Sequence, residues 1–106
     1  MIETKQTCER VILIGIQLYD GDDTQASLDE LEQLAGTAGA QTVGRVLQNR
    51  EQPHPGTYLG KGKLSEVKEL LWETEATGVI CDDELSPAQL SGLEDALECK
   101  VMYRTL

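Results

Sequence analysis

Four consecutive residues, Gly60-Lys61-Gly62-Lys63, combine the two ingredients of an anion site. Glycines let backbone N–H groups turn toward an anion, and lysines at a helix start add to the positive end of the helix dipole. The complete phosphate-loop pattern is not reached. Counted back from Gly62-Lys63, the first glycine would fall on Thr57, and Leu64 stands where Ser or Thr is needed to hold Mg²⁺. A dinucleotide fingerprint fails too, because Ser65 occupies the place of its third glycine. Three readings stay open for this segment: a contact with RNA phosphates, an autonomous ATP site, or a flexible turn that opens a helix.

The other chemistry-bearing residues point to less. Asp82-Asp83-Glu84 follows a short apolar segment, the position at which α/β folds bind ligands, and three acids there could hold Mg²⁺. A solvated turn leading into a helix cap explains them more simply. Asp20-Gly21-Asp22-Asp23 opens like a calcium loop but lacks its central glycine, and its terminal glutamate would fall on Leu31, so it reads as a capped turn. The single histidine, His54, lies between Pro53 and Pro55 with no nucleophile or second histidine nearby. Cys8, Cys81 and Cys99 are odd in number and lack metal spacing, so they read as reduced thiols, Cys81 and Cys99 in or beside apolar segments. Trp72 reads as packing on a helix face. No catalytic residue and no metal-ligand set is assigned.

Charge narrows the partners. The 106 residues hold 9 Lys+Arg against 19 Asp+Glu, a net charge of −10. That argues against a general binder of nucleic acid or anionic membrane, because phosphate backbones are held mainly by Lys and Arg. The charge is uneven, however. Between Arg45 and Lys68 lie Arg45, Arg50, Lys61, Lys63 and Lys68 with only Glu51 and Glu66, a local +3 in an otherwise acidic chain. A stretch of this size supports a local phosphate contact and not tight independent binding. Arg45, Arg50, Gly60, Lys61, Gly62, Lys63 and Lys68 are therefore the candidate RNA- or phosphate-contacting residues. The longest apolar run, Val11 to Ile16, is far short of the roughly 20 residues of a membrane span, and residues 1–5 hold no signal-peptide core. The expectation is a cytoplasmic protein with no membrane span.

These residues must be positioned by an alternating series of elements. Residues 10–17 form a nearly continuous β-branched and apolar run, the mark of a strand covered on both faces. Leu28, Leu31, Leu34, Ala35 and Ala38 recur at spacings of three and four, which predicts a helix over 24–38 closed by Gly36 and Gly39. A strand follows at 41–48, then a turn-rich segment at 49–62 read as a functional or flexible loop. A helix is predicted from about Lys63 to Glu75, with Leu64, Val67, Leu70 and Leu71 inward, then a short strand at 79–81. Ser86-Pro87-Ala88-Gln89 is a capping box with proline at the first helical position. That helix carries Leu90, Leu93 and Leu97, and a strand at 100–104 ends the series. Strands alternating with helices imply parallel pairing. The predicted fold is α/β: a four-stranded, mainly parallel sheet of order 2-1-3-4 with helices on both faces. Residues 1–9 read as a tail and 10–106 as one domain.

Two segments together carry a family resemblance. Thr57-Tyr58-Leu59-Gly60-Lys61-Gly62-Lys63 and Asp82-Asp83-Glu84-Leu85-Ser86-Pro87-Ala88-Gln89-Leu90, with the strand at 10–15 and the Arg104-Thr105 ending, resemble the N-terminal domain of HflX-family ribosome-associated GTPases. Tyr103 departs from the Asp usual before Arg-Thr. The resemblance implies a fragment of a longer protein that lacks its helical hairpin and its GTP-binding domain, where GTP and Mg²⁺ belong; no cofactor is expected in the fragment. It implies the large ribosomal subunit, through its rRNA, as partner of the full-length protein. It also implies contact with the protein's own GTPase domain, which the acidic body could regulate. ATP-dependent activity linked to this region would be sought at Gly60–Lys63.

Overall fold

A computed structural model describes residues 9–18 and 23–104. The tail at 1–8 with Cys8, the turn at 19–22 and the last two residues lie outside the described residues. The element order is β1 (Glu9–Gln17), α1 (Thr24–Thr37), β2 (Ala40–Asn49), α2 (Lys61–Thr74), β3 (Gly78–Cys81), α3 (Pro87–Leu97) and β4 (Lys100–Tyr103). The sheet is four-stranded in the order β2-β1-β3-β4, and all three pairings are parallel. The expected topology is thus observed. The first strand begins at Glu9, one residue earlier than the predicted boundary.

The residue pattern explains the layering. Val11 through Ile16 are all buried because β1 is central and alternates its side chains between two covered faces. On one face Ile12, Ile14 and Ile16 join Val46, Val67, Leu71, Leu93 and Leu97 beneath α2 and α3. On the other, Val11 and Leu13 meet Leu28 and Leu31 of α1. Gly44 packs closely: a Cβ there would lie 2.8 Å from Leu70 Cδ2, so the Leu70 side chain would have to shift.

Helix ends follow their local chemistry. Asp23 caps α1 by accepting from the Ala26 N–H, and Gly39, at φ +93°, provides the left-handed residue beyond its end. The Ser86 capping box forms with both of its hydrogen bonds, Gln89 N–H to Ser86 Oγ at 3.1 Å and Ser86 N–H to Gln89 Oε1 at 3.0 Å. Helix α2 begins two residues earlier than predicted, so Lys61, Gly62 and Lys63 are helical and not part of a loop. Trp72 is also a correction, being 83% exposed. Val67 and Leu71 point inward, and Trp72, one residue or 100° beyond Leu71, is carried out to solvent. No helix among the described residues is long and apolar enough to cross a membrane.

Candidate functional site at the carboxyl edge of the sheet

In a parallel α/β layer every strand ends, and every helix begins, at the same edge. That edge collects the segments after β1, β2, β3 and β4, and the strand order reverses between β1 and β3, where such folds take ligands. Both sequence motifs arrive there, and the structure interlocks them.

The 50–60 segment, expected to be a flexible loop, is an ordered and docked turn. His54 and Tyr58 pair as an antiparallel bridge, His54 N–H to Tyr58 O at 3.0 Å and Tyr58 N–H to His54 O at 2.8 Å. His54 Nδ1 accepts the N–H groups of Gly56 at 2.9 Å and Thr57 at 3.1 Å, so the only histidine closes the turn from within. Tyr58 and Leu59 are fully buried. Tyr58 sits at φ +65°, a left-handed conformation costing a non-glycine residue about 1 kcal/mol, which its burial and hydrogen bonding outweigh.

Three contacts lock this turn to the β3–α3 segment. Tyr58 OH donates to Asp83 Oδ2 at 2.5 Å. Gln89 Nε2 donates to His54 O at 3.0 Å. Gly92 lies so close to the turn that a Cβ there would meet the Gly56 carbonyl oxygen at 1.8 Å. Burial raises the pKa of Tyr58 well above the phenol range, and its neighbours Cys81 and Asp83 push it the same way. Burial also pushes the Cys81 thiol up to about 12. Both groups are therefore neutral at physiological pH and act as packing and hydrogen-bonding groups.

A second acid of the triplet is also engaged. Asp82, its side chain only 8% exposed, pairs with Arg104 at 3.2 Å. Arg104 reaches across to α1, where it pairs with Glu30 and donates to Ser27 Oγ at 3.3 Å. Asp82 and Asp83 are thus structural partners and more than a solvated turn, and no group of acids, cysteines or histidines suited to a metal ion occurs among the described residues. Neither Tyr58 nor Arg104 was singled out for chemistry by sequence, although Tyr58 lies inside the motif. The available signal was an aromatic residue embedded among turn residues, which must be buried somewhere.

The candidate cations are divided. Arg45 projects onto the α1 face, where Asp29 at 2.7 Å and Glu32 at 2.8 Å neutralise it; those hydrogen bonds, Glu32 first, raise its pKa. Lys68 lies about two turns from the start of α2 and pairs with Glu98 at 3.4 Å. Arg50, Gly60, Lys61, Gly62 and Lys63 do come together, at the N-terminus of α2. The Gly60 N–H donates to Gln48 Oε1 at 2.9 Å, but no side chain caps the first turn beyond it. Arg50 Nε donates to Gln52 O at 3.0 Å, and its guanidinium passes so near Gly60 that a Cβ there would lie 2.7 Å away. Lys63 pairs with Glu66 at 3.0 Å, an exposed contact of little strength. Arg50 and Lys61 have no ion pair among the described residues. Gly60 is extended (φ −72°, ψ 164°) and Gly62 is helical, so the glycines form no cradle of left-handed turns; the anion-attracting element is the helix terminus itself.

Comparison with known proteins identifies the family of the chain. A family model described as GTP-binding GTPase N-terminal matches residues 25–106. Among similar proteins is the GTPase HflX of Lacrimispora saccharolytica, 59% identical over 106 residues, covering the whole of this chain and 25% of that protein. The GTPase HflX of Alkalihalophilus pseudofirmus is 43% identical over 98 residues, with 92% of this chain and 23% of that protein covered. The GTPase HflX of Escherichia coli is 34% identical over 105 residues, with 99% and 24% covered. The chain spans about a quarter of the length of these relatives.

Proposed function

Because the chain belongs to the GTP-binding GTPase N-terminal family, as the N-terminal domain of an HflX GTPase, we propose that it docks and regulates a longer GTP-binding protein on the large ribosomal subunit. GTP and Mg²⁺ belong to the part of such a protein beyond these residues. Within this domain the contact with rRNA is made by the first turn of α2. The carrying observation is that α2 begins without a side-chain cap, with Arg50, Lys61 and Lys63 gathered there and neither Arg50 nor Lys61 ion-paired among the described residues. A phosphate placed there receives first-turn N–H groups and the positive end of the dipole, with two or three cations around it.

The acidic remainder keeps this contact local. Arg45 is held by Asp29 and Glu32 on the other face and contributes little, so the domain positions its GTPase without binding RNA tightly by itself. The test is large-subunit affinity of the full-length protein carrying Lys61→Ala with Lys63→Ala. A loss of roughly tenfold is expected from two removed phosphate contacts at moderate salt. Unchanged affinity overturns the reading.

A further inference from the structure

Helices α2 and α3 pack against each other on one face of the sheet and end at the same edge, opposite the edge of the candidate site. Between their last turns lies an open groove of about 290 Å³. Leu71 and Leu97 form its floor, continuous with the core, and Trp72, Ala76 and Cys99 line it further out. Trp72 is 83% exposed, more than any other large apolar side chain among the described residues. The rim of the groove is acidic. Glu98 lines it and pairs with Lys68 at 3.4 Å. Glu94 is near enough that its charge, after burial, pushes the Cys99 thiol up. Glu69 and Glu75 stand three residues to either side of Trp72 along α2 and flank it. Four carboxylates therefore meet a single cation, Lys68, and Glu69, Glu75 and Glu94 have no ion pair among the described residues. Helix stability does not account for them. Most stand at the negative ends of two helix dipoles, where cations are favoured, and neither last turn holds a basic residue. Glu75 and Glu98 even occupy left-handed cap positions, both at φ 56°, which glycine fills at less cost.

We propose that this groove docks a basic segment of a protein partner, with an Arg or Lys head on the Trp72 ring and an apolar side chain between α2 and α3. Charge complementarity selects the occupant. An exposed indole attracts a cation to its face, and the carboxylates beside it hold the remaining donors of a guanidinium or ammonium group. The same carboxylates repel phosphate, so a nucleic acid that could stack on Trp72 is disfavoured at this end of the domain. The apolar floor gives the segment something to bury, and a desolvated tryptophan at the centre of a small contact supplies much of its affinity. Helix α2 thus carries opposite charge at its two ends. Lys61 and Lys63 open it, Glu69, Glu73 and Glu75 close it, and its 14 residues hold the two ends about 20 Å apart. The inference does not depend on the RNA contact at the start of α2.

The test titrates the full-length protein with a fluorescein-labelled peptide of repeated Arg-Leu-Arg units and follows anisotropy. Saturable binding is expected, weakened about tenfold by Trp72→Ala, an exposed position whose change leaves the core intact. Glu94→Lys with Glu98→Lys is expected to weaken it at least as much. Lys61→Ala with Lys63→Ala is expected to leave it unchanged, which separates this groove from the RNA contact. Equal affinity for Trp72→Ala overturns the proposal, because the peptide would then be held by general charge attraction alone. Equal or tighter binding of the same peptide with Glu in place of Arg overturns it as well. The 106-residue chain, in which Trp72 is the only tryptophan, supplies a second readout. Its emission is expected to shift to the blue with the Arg peptide and to stay unchanged with polyuridylate. A shift with polyuridylate would assign the groove to RNA, and a shift that grows with protein concentration alone would assign it to a second copy. A red shift on deleting residues 1–8 would assign it to the chain's own tail. Peptide binding by the short chain that is lost in the full-length protein would assign it to the rest of that protein. Each of these results overturns the proposal.

Discussion

Tyr58 and Lys61 are three residues apart and belong to one motif, yet their surroundings are opposite. Tyr58 is buried, hydrogen-bonded to Asp83 and enclosed by a turn that His54, Gln89 and Gly92 hold in place. Lys61 is exposed at a helix terminus that no side chain caps. The same edge of the sheet thus contains a latch whose polar groups satisfy one another and a terminus whose charge is left for something else. Residues that look reactive in sequence, such as His54, Cys81 and the Asp82-Asp83 pair, belong to the latch. The residues proposed to meet a ligand are the plainer lysines beside them.

This contrast can be broken from the latch side first. Gly92→Val places a side chain where the Gly56 carbonyl already lies, so the turn must undock or α3 must shift. A loss of about 3 kcal/mol or more is expected in denaturant unfolding, typical of severe overpacking. A loss under about 0.5 kcal/mol would mean that the turn is not held by α3. Arg104→Ala strands the nearly buried Asp82 and releases Glu30. About 2 kcal/mol is expected, less than for a fully buried pair because Glu30 is exposed. Tyr58→Phe removes the hydrogen bond to a carboxylate while keeping the ring, and about 1.5 kcal/mol is expected.

A pH series sharpens the same comparison. Tyr58 and Cys81 have pKa values raised in the folded state, Cys81 to about 12. The folded protein therefore retains protons that the unfolded chain releases, and stability falls as pH rises past the unfolded values. The expected window opens near pH 9, where a free thiol ionises, with a slope of about 1 kcal/mol per pH unit. Flat stability from pH 8 to 11 would contradict the burial of both groups. The smallest expected effect is at the terminus: Lys61→Ala with Lys63→Ala should change stability by less than about 0.5 kcal/mol, since only an exposed pair is lost.

The fold was legible where the signal is local. The continuous run in β1, the three-and-four spacing of α1 and the Ser86 capping box each depend on residues within one element, and the parallel order followed from their alternation. The latch was not legible, because its contacts join residues 25 to 36 positions apart: Tyr58 with Asp83, His54 with Gln89, Gly56 with Gly92. A segment rich in proline and glycine reads as mobile unless the surface that receives it is known. The cation cluster was partly legible. Strand alternation alone puts Arg45 on the face opposite Val46, which removes it from the α2 group, whereas the gathering of Arg50 beside Gly60 required the turn to fold back. Trp72 shows the reverse case, since helical spacing from Val67 and Leu71 already turns it outward.

The most direct test of the divided edge is the salt dependence of large-subunit binding by the full-length protein, compared among the unaltered protein, Lys61→Ala with Lys63→Ala, and Arg45→Ala. The account predicts that the double variant lowers the slope of log affinity against log salt by about one to two, reflecting two lost phosphate contacts, while Arg45→Ala leaves it unchanged. Equal slopes for all three proteins, or a larger change for Arg45→Ala, would contradict it.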